Sequence, residues 1–274
     1  MTTLLKYIRF LSLDVTLGAA LLTMAISNFI GVQLPLSVPV CLAISIWLIY
    51  TLDHLLDAKR SPQITIERHL FHRRNFKILV INLILIALTG FYVAWSLPTI
   101  TFIYGLGLIL LVLVYFTLIY FLKNFHFKEI LVAIVYASGV FLGPISLIEN
   151  GVDLQIISLF IQLLFLAFIN LILFSYNDLE KDQADGNPSI VIKLGRETTG
   201  LILNILFVIL TIVQFVSLLS NLGSSNFFLF QVLFVLMSIV LFSLKKWNNY
   251  FAANSKYQLI GDGIFFIPVI WLLI

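Results

Sequence analysis

Apolar residues along this chain gather into nine long runs, each closed by a short polar or charged break. The runs are Leu11 to Ile30, Leu34 to Leu52, Ile78 to Leu97, Thr99 to Leu122, Ile130 to Ile148, Leu154 to Tyr176, Leu201 to Leu219, Phe227 to Leu244 and Gln258 to Ile274. Each is near 20 residues, the length a helix needs to cross a hydrocarbon core of about 30 Å, where backbone groups find no water and must bond within their own segment. The pattern therefore predicts an all-α, polytopic membrane protein with nine transmembrane helices in a single domain over 1–274. Only Ser96-Leu97-Pro98 separates the third run from the fourth. The first run contains Asp14 and leads into Gly31 and Pro35 rather than a small-residue cleavage site, so it reads as a span and not as a cleavable signal peptide.

Composition agrees and narrows the field. Hydrophobic residues make up 61% of the chain, charged residues 11%, and the mean hydropathy is +1.09, whereas soluble domains carry about 25% charge. One Cys permits no intrachain disulfide, and a net charge of +3 offers no basic surface fit for nucleic acid. Lys and Arg favour the cytoplasmic side of short loops. With the N-terminus placed in the cytoplasm, all 16 of them fall on inside segments, which puts the C-terminus outside.

Two inside segments are long, 53–77 and 177–200, and function concentrates in such places. The stretch ERHLFHRRNF reads as an interfacial amphipathic helix; its His69 and His72 have no evident third ligand for a metal. Asp53 and Asp57 leave the second span four residues apart, so a continuing helix sets both carboxylates on one face with Cβ atoms about 5–6 Å apart. Asp178, Asp182 and Asp185 repeat the arrangement after the sixth span. The two clusters suggest two pseudo-repeated four-helix units, each with one acidic cluster, followed by a ninth helix. Like charges so close repel near lipid unless a cation such as Mg²⁺ compensates, and Mg²⁺ takes one or two carboxylates per ion together with substrate phosphate. The plainer alternative is a pair of solvated helix ends neutralised by Lys59, Arg60 and Lys181.

At these residues the chain resembles the UbiA superfamily of intramembrane prenyltransferases. The string YNDLEKDQADGNPSIVIKLGRE is similar to that family's second acidic loop, through Asp178, Asp182, Gly186, Ser189 and Gly195. Asp53-xxx-Asp57 with Arg60 and Pro62 resembles the latter half of its first motif, although Ile49 and Tyr50 stand where that motif carries Asn and Asp. Tyr115 through Lys123 to Gly139 and Gly143 is similar to its fourth helix, basic turn and fifth helix. The resemblance implies Mg²⁺-dependent transfer of a prenyl group from a polyprenyl diphosphate to a lipid-soluble, aromatic acceptor at the cytoplasmic face. Asp53, Asp57, Asp178 and Asp182 would be the catalytic and metal-binding residues, with Asp185 a further metal ligand. Lys123, at a basic family position, and Arg196, placed by topology, would bind the leaving diphosphate, with Arg60 and Lys193 next.

Tyr115, Tyr120, Tyr136 and Tyr176 are the aromatic candidates for shielding a carbocation. Asp14 and Asp262, each about one turn inside its span, either face the same cavity or reach the nearby surface, and Asn170 suits an interhelical hydrogen bond. Two other readings stay open: a non-catalytic isoprenoid or lipid binder, motivated by Ile49 and Tyr50, and an ion-coupled transporter. The transporter reading is weakened because the acids cluster at one face rather than at the midplane.

Overall fold

The computed structural model describes residues 3–60, 67–122, 126–149, 151–252 and 256–273, and among them it contains helices and no strand. In chain order these are α1 (Thr3–Phe10), α2 (Leu13–Ile30), α3 (Ser37–Arg60), α4 (Glu67–Arg74), α5 (Phe76–Ala94), α6 (Thr99–Phe121), α7 (Lys128–Ser146), α8 (Leu154–Asp185), α9 (Ile190–Leu194), α10 (Arg196–Ser220), α11 (Ser225–Lys246), α12 (Asn248–Ala252) and α13 (Lys256–Gly263). The last continues as a 3₁₀ stretch, Ile264–Leu273. Among the described residues nine segments are long and apolar enough to cross a membrane: α2, α3, α5, α6, α7, α8, α10, α11 and the combined Lys256–Leu273. The chain is thus a multi-pass integral membrane protein, with the nine spans in the order the hydrophobic runs predict.

Two spans extend past their apolar runs. α3 continues through Asp53 and Asp57 to Arg60, and α8 through Asp178 and Asp182 to Asp185. At 32 residues α8 is about 48 Å long, against a hydrocarbon core of about 30 Å. Counting apolar residues stops at the first charge, whereas a helix continues into a polar setting until its backbone is capped. Gly186 supplies the cap here: at φ +73° it takes the left-handed conformation that favours glycine. Among the described residues, much of the long segments 53–77 and 177–200 is therefore helical, as the continuing helix at Asp53 and Asp57 and the helix over ERHLFHRRNF predict.

α8 runs through the middle of the bundle, packed against α7, α10 and α11, while α5 buries only Leu79 and α6 only Thr101 and Tyr115. These two helices form the outer layer toward lipid. At the end of α8 remote from its aspartates, buried amides join the helices. Gln162 and Gln231 exchange hydrogen bonds of 3.0 and 2.6 Å, and Gln162 also donates to Ser158, whose hydroxyl meets that of Ser217 at 2.8 Å. In an apolar surround such bonds pin helix register, since a lost partner leaves a polar group facing hydrocarbon.

Candidate active site

Helical spacing places Asp53 and Asp57 on one face of α3, and Asp178 and Asp182 on one face of α8. The bundle turns both faces toward a single cavity of about 180 Å³, lined from α1, α2, α3, α4, α6, α7, α8 and α13, and all four carboxylates line it. Each is held from its own side. Asp53 accepts a hydrogen bond from the Tyr115 hydroxyl at 3.1 Å, and Asp57 lies 4.0 Å from Lys128 Nζ. Asp178 accepts from Lys181 at 2.8 Å through one oxygen and from Gln258 at 2.7 Å through the other. Among the described residues no three His, Cys, Asp or Glu side chains form a ready-made metal cluster.

Other expected residues are placed differently. Asp185 does not line the cavity: it is 1% exposed, and its Oδ2 meets His69 Nδ1 at 3.2 Å. Lys193 and Arg196 also lie away from the lining, the first over the Phe127 ring at 5.2 Å and the second over Tyr176 at 4.9 Å. Topology put these cations on the correct end of the bundle, but each is turned onto an aromatic face. Arg60 ends α3 with its side chain outside the described residues, and Lys123 lies outside them altogether. Tyr136, Asp14, Asp262 and Asn170 all line the cavity, whereas Tyr120 is exposed.

The cations that do line the cavity are Lys128, Arg68 and Arg9. Lys128 opens α7, five residues beyond Lys123 in the sequence, and it was not among the expected site residues. Arg68 and His69 come from α4, which docks into the cavity wall rather than lying on the interface as expected. It packs along α3, with His72 edge-on to the His54 ring at 5.1 Å, and is held further by His69 with Asp185, Lys6 with Glu67 at 2.9 Å, and Phe71 on Tyr7 and Phe10 of α1. His69 and His72 are 2% and 1% exposed. Burial is the main reason both imidazoles hold protons less tightly than usual, His72 down to about 4; at His69 the Arg68 charge adds to it, against Asp57 and Asp185. Burial likewise lowers the Arg9 guanidinium, opposed by Asp262 and Asp14.

Glu129 completes the wall. One of its oxygens accepts from Ser175 at 2.7 Å and from the Ile190 N–H at 3.1 Å, tying the α8–α9 connection to the foot of α7. The other oxygen is buried without a partner among the described residues. Nothing in EILVAIV marks Glu129 as different from an ordinary interfacial acid.

A family model described as the UbiA prenyltransferase family matches residues 15–267, a segment that includes all four lining aspartates and Lys128. No curated protein and no solved structure matches the chain.

Proposed function

The chain belongs to the UbiA prenyltransferase family, and from that premise we propose that it transfers a prenyl group from a polyprenyl diphosphate to a lipid-soluble aromatic acceptor at the cytoplasmic face of the membrane. One observation carries this reading: carboxylate pairs from two separate helices line one cavity together with Lys128 and Arg68. The donor set suits Mg²⁺, being all oxygen, with two carboxylates from each helix and four against the three nearby cations Lys128, Arg68 and Lys181. Asp53, Asp57, Asp178 and Asp182 would hold the ion, which when bound supplies Lewis-acid neutralisation of the leaving diphosphate. Asp185 has the weaker claim, because His69 engages it.

The rest of the chemistry belongs to the chain. Cleavage of the allylic C–O bond leaves its electron pair on the diphosphate, and Lys128 and Arg68 donate hydrogen bonds to that growing charge. Tyr115 fixes Asp53, and Lys181 with Gln258 fixes Asp178, so the carboxylates are oriented before substrate arrives. The Tyr50, Tyr136 and Phe265 rings line the deeper wall, where they exclude water and present π-faces to an allylic cation. The acceptor then supplies the electron pair of the new bond and loses a proton. The cytoplasmic assignment rests on the one-sided distribution of Lys and Arg.

Purified protein given farnesyl diphosphate, Mg²⁺ and a panel of phenolic and quinol acceptors is expected to yield prenylated product, and EDTA to stop it. Diphosphate binding without product under any metal condition would favour the non-catalytic binder, for which Tyr50 in place of a carboxylate is the specific argument.

A further inference from the structure

The wall beside the second aspartate pair holds a carboxylate that belongs to neither acidic string. Glu129, the second residue of α7, is 3% exposed and lines the cavity. One of its oxygens takes both donors that reach the side chain, the Ser175 hydroxyl and the Ile190 N–H. Its Oε2 is buried and has no partner among the described residues. The carboxylate is thus clamped at one end and unanswered at the other. The clamp also sets its depth. Ser175, Asp178 and Asp182 stand at i, i+3 and i+7, which share one face of a helix, and all three line the cavity. Ser175 lies about 4.5 Å by helical rise further into the bundle than Asp178, so Glu129 sits one turn inside the α8 pair. Its charge bears on Asp182 and on Lys128. Beside the first pair the matching place, three residues before Asp53, is filled by Tyr50 instead.

A buried acceptor with nothing to accept from is costly, so Oε2 calls for a donor or a cation. Lys128, its neighbour in the sequence, is turned toward Asp57 at 4.0 Å. A prenyl diphosphate does not answer the need, because its tail is hydrocarbon and its deprotonated oxygens only accept. Water on a magnesium ion does answer it. Mg²⁺ gives up water reluctantly and keeps several molecules beside one or two carboxylates and substrate phosphate, and water held by its oxygen on a cation has only donors left to offer. Groups that orient such a shell from behind the direct ligands are worth roughly 10–100-fold in metal affinity.

Resting on the prenyl-transfer reading above, we propose that Glu129 is a positioning residue of the metal site. Its Oε2 accepts a hydrogen bond from water on the ion held by Asp178 and Asp182, while the opposite oxygen keeps its grip on Ser175 and Ile190. One side chain thereby joins the ion to the connection that leads into α9.

The test is a titration of the full chain in detergent micelles with Mn²⁺, a paramagnetic stand-in of the same octahedral oxygen chemistry, in the presence of the unreactive analogue geranyl S-thiolodiphosphate. Free Mn²⁺ is read from its paramagnetic resonance signal against a protein-free blank. Glu129→Gln keeps an oxygen for Ser175 and Ile190 and puts an NH₂, which donates, where a metal-bound water also donates. Its melting temperature without metal is expected to match wild type, and its Mn²⁺ affinity to fall about tenfold. A Mn²⁺ affinity within about twofold of wild type, with or without a loss of stability, would overturn the inference, leave Glu129 as a tie between α7 and α9, and leave prenyl transfer standing. If Glu129→Gln does not fold, Ser175→Ala decides. It removes one donor and no charge, lets the carboxylate turn, and is expected to weaken Mn²⁺ about three- to fivefold, and an unmoved affinity there overturns the inference equally. If the wild type takes up no Mn²⁺ beyond the blank, the prenyl-transfer reading falls as well.

Discussion

Gln162 and Asn170 sit on the same helix, eight residues apart, and both are almost completely buried primary amides. Gln162 is saturated, with Gln231 reciprocating and Ser158 accepting beside it. Asn170 has a carbonyl oxygen with no partner among the described residues, and about two to three turns further on Asp178 and Asp182 face an acid pair from another helix across open space. The same side-chain chemistry serves opposite purposes in the two regions. Where every polar atom is matched within the chain, the group fixes helix against helix. Where atoms are left over or like charges face one another, the missing counterpart is a ligand.

Several substitutions would break or sharpen that contrast. The largest effect is expected from Asp178→Ala, which removes a metal-facing carboxylate and should lower prenyl transfer by roughly 10²–10³-fold with membrane insertion and thermal stability preserved. Turnover within threefold of wild type would show that the facing acids are not the site. Next comes Asp185→Asn, which loosens the His69 contact that seats α4 and so shifts Arg68. The expected result is a KM for the diphosphate raised about tenfold with kcat changed much less; a pure kcat loss would instead place Asp185 among the metal ligands.

At the saturated region the signs reverse. Gln162→Leu should leave activity intact but lower stability by about 1 kcal/mol, because the Gln231 amide loses its partner in an apolar surround. The double variant Gln162→Leu, Gln231→Leu should recover most of that loss in a thermal-shift series; a double variant less stable than the single would contradict the pairing argument. The smallest effect concerns pH. His72 is neutral in the fold down to about pH 4, whereas an unfolded imidazole protonates near 6.5. The unfolded chain therefore binds more protons between those values, so the stability this burial confers is fully present above about pH 6.5 and fades as pH falls toward 4. Replacing His72 with Phe should flatten that slope in melting temperatures measured across the window.

The spans were legible in the sequence because the bilayer allows a helix few lengths, and the aspartate pairs because four-residue spacing fixes a helical face wherever the helix lies. Arg68 and His69 were not legible as cavity residues. ERHLFHRR has the composition of a surface helix, and what turns it inward is a contact with Asp185, 116 residues away. Lys128, Lys193 and Arg196 share the correct end of the bundle. Charge and topology rank these three alike, and the packing of Lys193 against Phe127 and of Arg196 against Tyr176 then separates them from Lys128. The unsatisfied state of Asn170 and Tyr136 is a property of neighbours brought in from other elements, so no local pattern could announce it.

The length of α8 has a mechanical corollary. One rigid rod carries both the amide lock and the second aspartate pair, so their angular phase is fixed by residue count alone. Inserting a single residue between Leu163 and Ile169 would swing everything downstream by about 100°. The rod could then keep its grip on α11 or keep Asp178 facing α3, and no rotation would restore both. Length polymorphism along that stretch should therefore be as damaging as losing the aspartate outright.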